Sequence, residues 1–172
     1  DGLSNYEEIV VQGTDPGNPD SDGDGSGDGV EVFEDSDPID AESFPTRTLS
    51  IAAETNGIIT GGGIFQLAAD ATLEAVPDAG YVFEGWIGDV AGNTTPLTVA
   101  MVADQSVGAV FIQDPRDPDD DGISNYEEIV VQGTDPDNPD SDNDGFEDGL
   151  ELAELTDPLD EQIYPTRRLV IS

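Results

Sequence analysis

The sequence contains no cysteine, no histidine and no lysine. Those absences exclude disulfide bonds, thiol and imidazole catalysis, lysine-based isopeptide cross-links, and zinc sites built from the usual ligands. Positive charge is scarce as well. Arg47, Arg116, Arg167 and Arg168 stand against 40 acidic residues, giving a formal net charge of −36. A field of that sign repels nucleic acid and anionic membrane, so neither is expected as a partner. No apolar run is long enough to read as a membrane span or a signal segment. Hydrophobic residues make up only 35% of the 172 positions and aromatic residues 6%, which is poor material for a core. High net charge with modest hydrophobicity ordinarily signals disorder. Here, however, the acids fall in short spaced groups rather than in blocks, and metal ligation requires spacing.

What the chain does have is repetition. Residues 1–52 align with 121–172 without a gap, and 34 of the 52 positions are identical. Self-similarity of this strength marks an array, and the 120-residue period is long enough to be a composite unit. One part of the unit, residues 1–46 and again 113–165, is rich in Asp, Gly and Pro. The other, residues 47–112, has few acids and reads as strands: "RTLSIAA", "ATLEAV", "YVFEGW", "LTVAMV" and "SVGAVFI". These alternate or run apolar between Gly, Asn, Asp or Pro, which is the strand signal. The expected fold is therefore mainly β, a small sheet domain alternating with acidic segments that carry short helices. Residues 166–172 match the start of 46–52 and are expected to begin a further β domain.

Within the acidic segments the spacing is specific. Residues 140–151 place Asp140, Asp142, Asp144, Asp148 and Glu151 at positions 1, 3, 5, 9 and 12, with Gly145 at position 6. This is the twelve-residue calcium loop of the EF-hand type, in which position 7, here Phe146, contributes its backbone carbonyl. A hard cation takes six to eight oxygens, and a tightly curled loop turns alternate side chains inward. Residues 20–31 repeat the pattern with Asp20, Asp22, Asp24, Ser26, Asp28 and Glu31, and residues 117–128 with Asp117, Asp119, Asp121, Ile123, Asn125 and Glu128. The first residues fit the end of such a loop: Asp1, Leu3, Asn5 and Glu8 fall at positions 5, 7, 9 and 12. The 172 residues are thus expected to be a slice of a longer array. A run of solvated turns has no reason to place an acid at position 12. Unit charges about 5 Å apart repel by roughly 3 kcal/mol at an effective dielectric near 20, so the metal-free loops are costly. Mg²⁺, which keeps its waters and prefers fewer carboxylates, is a poorer fit than Ca²⁺.

A short helical pattern, "NYEEIVVQG" or "DGLELAEL", follows each loop. The Pro-containing text ahead of Asp117 and Asp140 leaves no room for an entering helix. Paired loops start 23 residues apart and each is followed by Thr-Asp-Pro, or by Ser36-Asp37-Pro38 after the 20–31 loop. Asp15, Asp37, Asp135 and Asp157 in those turns are either auxiliary ligands or plain Asx turns.

The series Asp-x-Asp-x-Asp-Gly-x-x-Asp/Asn-x-x-Glu, Gly-Thr-Asp-Pro, Asp-x-Asp-x-Asp-Gly resembles the thrombospondin type 3 calcium repeats of bacterial surface and secreted proteins, over roughly residues 1–40 and 117–160. The resemblance implies several Ca²⁺ ions packed along a chain with little other core, and a rigid connector when they are bound. The stretch "VPDAGYVFEGWIGD" at 76–89, with "TTPLTVAM" and "DQSVGAVF" after it, resembles the divergent internalin-type B-repeat. Pro77, Gly80, Tyr81, Phe83, Gly85, Trp86, Gly88 and Asp89 carry that match. It implies a small, mainly β, β-grasp-like domain of extracellular proteins.

Other features weigh less. Trp86 with Tyr81 and Phe83 reads as core before it reads as a glycan platform, and Gly61-Gly62-Gly63 reads as a turn. Every clustered acid is explained as a ligand, so no enzyme activity is expected. The expected function is structural: an extracellular, calcium-ordered repeat protein forming a cell-surface fibre, stalk or filament. Its partners would be neighbouring repeats or identical subunits. The alternative is an adhesin whose β domain binds glycan or a surface protein.

Overall fold

A computed structural model describes residues 1–166; the strand expected over 166–172 lies, from Arg167 onward, outside the described residues. Seven strands occupy the middle of the chain: β1 (Thr46–Ile51), β2 (Gly57–Thr60), β3 (Gly63–Gln66), β4 (Asp70–Pro77), β5 (Tyr81–Gly88), β6 (Leu97–Ala100) and β7 (Gln105–Gln113). They form a four-stranded sheet of order β3-β1-β7-β5 and a three-stranded sheet of order β2-β4-β6. β1 runs antiparallel to β3, with Thr46 opposite Gln66, and parallel to β7, with Ser50 opposite Ser106. β4 and β6 are antiparallel, with Ala71 opposite Val99. The protein is mainly β, as its alternating runs require. No helix occurs between Thr46 and Gln113, so a helix gripped by a sheet, the mark of a β-grasp, is not part of the domain. The sequence between strands has no 3.6-residue apolar period from which to build one.

The acidic segments supply the helices: α1 (Asp28–Phe33), α2 (Asp148–Glu154), and two π-helical segments, Glu7–Gln12 and Glu127–Gln132. Each begins inside or directly after a loop, with none leading in. Among the described residues no helix is long and apolar enough to cross a membrane.

The chain divides into two compact units. The first comprises Asp1–Glu54, Ile59–Ala75 and Gly85–Ala109; the second comprises Thr55–Ile58, Val76–Glu84 and the chain from Val110. The core of the first unit is small: Leu49, Ala71, Leu73, Ala75, Trp86, Val99, Met101, Val107 and Ala109 are buried. β4 shows why it folds as a strand, since Ala71, Leu73 and Ala75 face inward while Asp70, Thr72 and Glu74 face solvent. Burying a side chain such as Leu73 stabilises by roughly 1.5–3 kcal/mol, and few are available. Trp86 is 4% exposed and donates its indole N–H to the Thr94 carbonyl at 2.8 Å. It is a core residue and presents no face to a glycan. Ties within this unit also hold the 20–31 loop: Gln66 Nε2 donates to the Asp24 carbonyl and to Ser26 Oγ, and Arg47 pairs with Glu34 at 2.8 Å.

In the second unit, the Phe83 and Phe111 rings meet edge-on and so do Tyr81 and Tyr126. Asp114 is 3% exposed, accepts from Arg116 and from Asn125 Nδ2, and its own N–H donates to the Gly80 carbonyl. The Arg116 guanidinium, foremost, and the Asn125 amide hold the Asp114 carboxyl well below the usual carboxylate range.

Candidate metal centre

The loops are curled by their own carboxylates. Asp140 accepts from the backbone N–H groups of Asp144 and Gly145, and Asp142 from Asp144. Asp20 accepts likewise from Gly23 and Gly25, and Asp117 from Gly122. Position 6 needs the left-handed backbone that glycine tolerates, with φ of +99° at Gly25, +97° at Gly122 and +98° at Gly145. The residue at position 7 then donates its N–H to the carboxylate at position 5 in all four copies. The distances are 2.9 Å for Leu3 to Asp1, 2.6 Å for Ser26 to Asp24, and 2.9 Å for both Ile123 to Asp121 and Phe146 to Asp144. This turn fixes the curl that a position-7 carbonyl ligand requires.

Those bonds use both oxygens of Asp20 and Asp140 but only one of Asp22, Asp24, Asp142 and Asp144, whose second oxygens are buried without a partner. Oxygens of Asp20, Asp22 and Asp24 lie within 4.8 Å of one another, as do those of Asp117, Asp119 and Asp121, and of Asp140, Asp142 and Asp144. Position 12 comes from the helix that follows: Glu8 gathers with Asp1 and Glu128 with Asp121, whereas Glu31 and Glu151 lie buried outside the Asp20 and Asp140 groups. Both oxygens of Glu31 and of Glu151, and Oε2 of Glu128, are buried with no hydrogen-bond partner, as are Oδ2 of Asp24, Asp142 and Asp144. Glu31, Glu128 and Glu151 are each fully buried. Burial is the first cause, and the neighbouring aspartates the second, of carboxyls pushed up to about 7. A buried charge without a partner is among the costliest arrangements in a protein. It persists where a cation completes it. Hard, anionic oxygens, unpartnered and convergent, fit Ca²⁺.

Position 9 departs from a single-loop plan. Asp28 and Asp148 are fully buried, and each accepts from the N–H and the hydroxyl of the serine at position 2 of its own loop, Ser21 or Ser141, at 2.7–2.8 Å. Their carboxylates nevertheless gather with the preceding loop: Asp148 with Asp121 and Glu128, and Asp28 with Asp1 and Glu8, again within 4.8 Å. Two loops thus share one acidic centre. The approach is allowed by Gly149 and Gly29, where an added Cβ would overlap the carbonyl of Asp121 or Asp1. The Gly149 N–H also donates to Asp121 Oδ2 at 3.2 Å. The twelve-residue motif alone puts Asp28 and Asp148 in their own loops. The Asp-Gly pair at positions 9 and 10 was the available signal for the sharing. Asn125, the third position-9 residue, instead donates to Asp114 while its Oδ1 stays buried and unpartnered.

The four aspartates of the connecting turns form Asx turns. Asp15, Asp37, Asp135 and Asp157 each accept from the backbone N–H two residues on. None joins a convergent carboxylate group among the described residues.

A series of half EF-hand loops, each with an exit helix alone, defines a calcium-binding repeat protein. The bacterial TSP3 repeat model matches residues 1–19, 20–41, 117–139 and 140–161, together half of the chain, and the divergent InlB B-repeat domain model matches 47–115. The chain belongs to the bacterial TSP3 repeat family, whose repeats bind calcium, and its middle section is a divergent InlB B-repeat domain. No curated protein and no solved structure matches it significantly.

Proposed function

We propose that this protein is an extracellular structural array in which calcium-ordered connectors hold successive β domains in a fixed relation, as in a surface fibre or stalk. The observation that carries this reading is the set of buried, unpartnered glutamates at position 12. Such residues suit a segment whose order is supplied by its ions rather than by an apolar core. Bound Ca²⁺ would supply charge neutralisation and oxygen coordination. The chain's own part is to present Asp20, Asp22, Asp24 and Glu31, and their counterparts, on turns already curled by Asx hydrogen bonds. The folding free energy of the connector then includes the binding free energy of the ions. Sites of extracellular type work with dissociation constants on the order of 10⁻⁴–10⁻³ M, a range matched by calcium outside cells and not in the cytosol.

Ties to the β domain extend that order past the loops. Gln66 and Arg47 grip the first segment, and Asp114 and Tyr81 the second. The role is mechanical rather than catalytic. Small-angle scattering tests it. With millimolar calcium the chain should give one compact, well-defined curve. With chelator the radius of gyration should rise as the acidic half loosens and expands. Identical curves in both conditions would refute the connector role.

A further inference from the structure

The ten residues Ser4–Gly13 and Ser124–Gly133 are identical, "SNYEEIVVQG". Both fold as the same π-helical segment. The closing glycine has φ 83° and ψ 18° in each copy, and its N–H donates at 2.6 Å to the carbonyl of Glu8 or Glu128. The two therefore present the same apolar face, but only one face is covered. In the second copy the Tyr126 ring meets Tyr81 edge-on, with centroids 5.3 Å apart. A Val130 methyl fills the space beside Gly80, where an added Cβ would lie 2.6 Å from it. The backbone of the same turn is tied through Asp114, which donates to the Gly80 carbonyl and accepts from the Tyr126 N–H. Exposure follows this contact. Ile129 and Val130 are 39% and 46% exposed, whereas Ile9 and Val10 are 63% and 61%. Val131 and Val11, at 58% and 62%, differ little, so the covering is confined to one side of the segment. Tyr6 is 69% exposed.

We propose that the face formed by Tyr6, Ile9 and Val10 is a docking surface for a second divergent B-repeat domain, received through the turn equivalent to Asp78–Glu84. The occupant is specified by the covered copy: a glycine without a side chain to admit the valine, a tyrosine directly after it to meet Tyr6, and a backbone carbonyl equivalent to that of Asp114 to accept the Tyr6 N–H. This chain's own turn is already filled by Tyr126 and Val130, so a second copy of the same chain does not offer it. A B-repeat placed ahead of Asp1 does. The proposal rests on the array reading above and adds the contact by which one β domain is joined to the connector that follows.

The test is a tandem chain in which residues 1–120 are followed by residues 1–172, so that a B-repeat and Asp117–Asp120 precede the second Asp1. The sequence has no cysteine, so Val10→Cys in the second copy introduces a single thiol. In calcium, its alkylation should be at least several-fold slower in the tandem chain than in the 172-residue chain. Val11→Cys should react alike in both, and Tyr81→Ala in the first copy should restore the fast rate at Val10→Cys. Ile9→Cys gives an equivalent readout if Val10→Cys disturbs the segment. Equal rates at both positions 9 and 10 in the two chains overturn the docking surface. If scattering still shows calcium ordering in that case, the array reading stands and only the contact is lost. If chelator leaves the scattering unchanged, the array reading itself fails.

Discussion

Asp148→Ala is expected to lower the stability of the calcium-loaded protein more than any substitution confined to one loop. Asp148 is fully buried, and its carboxylate serves two loops at once. It holds Ser141 through two hydrogen bonds, and it gathers with Asp121 and Glu128 of the preceding loop. Its loss leaves the half-buried Ser141 donors without their two hydrogen bonds, at about 0.5–1.5 kcal/mol each. It also takes an anion from a shared centre, and a tenfold fall in affinity would add about 1.4 kcal/mol. A combined loss of roughly 3 kcal/mol corresponds to a melting temperature about 6–12 °C lower for a chain of this size. Asp142→Ala, which touches its own loop alone, should lose clearly less. Scanning calorimetry of both variants in millimolar calcium distinguishes them. A smaller shift for Asp148→Ala than for Asp142→Ala would mean that the two loops do not share the centre.

Glu128→Gln should act in opposite directions with and without calcium. Without the ion, ionising Glu128 costs the fold, because burial first, and Asp119 and Asp121 next, push its carboxyl up to about 7. Each unit of such a shift is worth about 1.4 kcal/mol, so the neutral amide should stabilise the chelated protein by something on the order of 2 kcal/mol. With calcium the same change removes the position-12 ligand and lowers affinity. The pH dependence has the same two signs. A carboxyl whose folded value is raised contributes stability below about pH 4.5 that is lost as pH rises through about 7. Glu31 and Glu151 behave alike, so the chelated protein should gain stability as pH falls from 8 to 5.5. Calcium binding needs the ionised forms, so the calcium-induced gain in stability should shrink over the same interval. Urea unfolding at the two pH values, each with calcium and with chelator, reads both slopes. Parallel slopes would show that these glutamates are not ligands.

Much of this was legible in the sequence because ion ligation imposes a spacing that few other demands produce. Acids at positions 1, 3, 5 and 12 with glycine at 6 gave the loops, and alternation in "ATLEAV" gave β4. Two features were hidden, for different reasons. β2 and β3 are four residues each and flank the Gly61-Gly62 turn, so neither is long enough to show a period. They also lie in different sheets, β2 beside β4 and β3 beside β1, and no local pattern announces such a switch. The placing of Asp28 and Asp148 was hidden because a loop motif is read within its own twelve residues. Their position depends on how one loop approaches the last, through Gly29 and Gly149. The Asx turns at Asp15 and Asp135 were undecided for a related reason, since an aspartate in a turn and one beside an ion look the same until the carboxylate's direction is known.

The central claim is that these acidic segments derive their order from calcium, and thermal unfolding in calcium and in chelator tests it most directly. At a free ion concentration 100 times the dissociation constant, each site that binds only the folded state adds about 2.7 kcal/mol. At about 2–4 °C per kcal/mol, several such sites should separate the two melting temperatures by roughly 20 °C or more. The β domain's own transition, followed through the buried Trp86, should survive chelation as a smaller residual melt. A single melting temperature, unchanged between calcium and chelator, would contradict the claim.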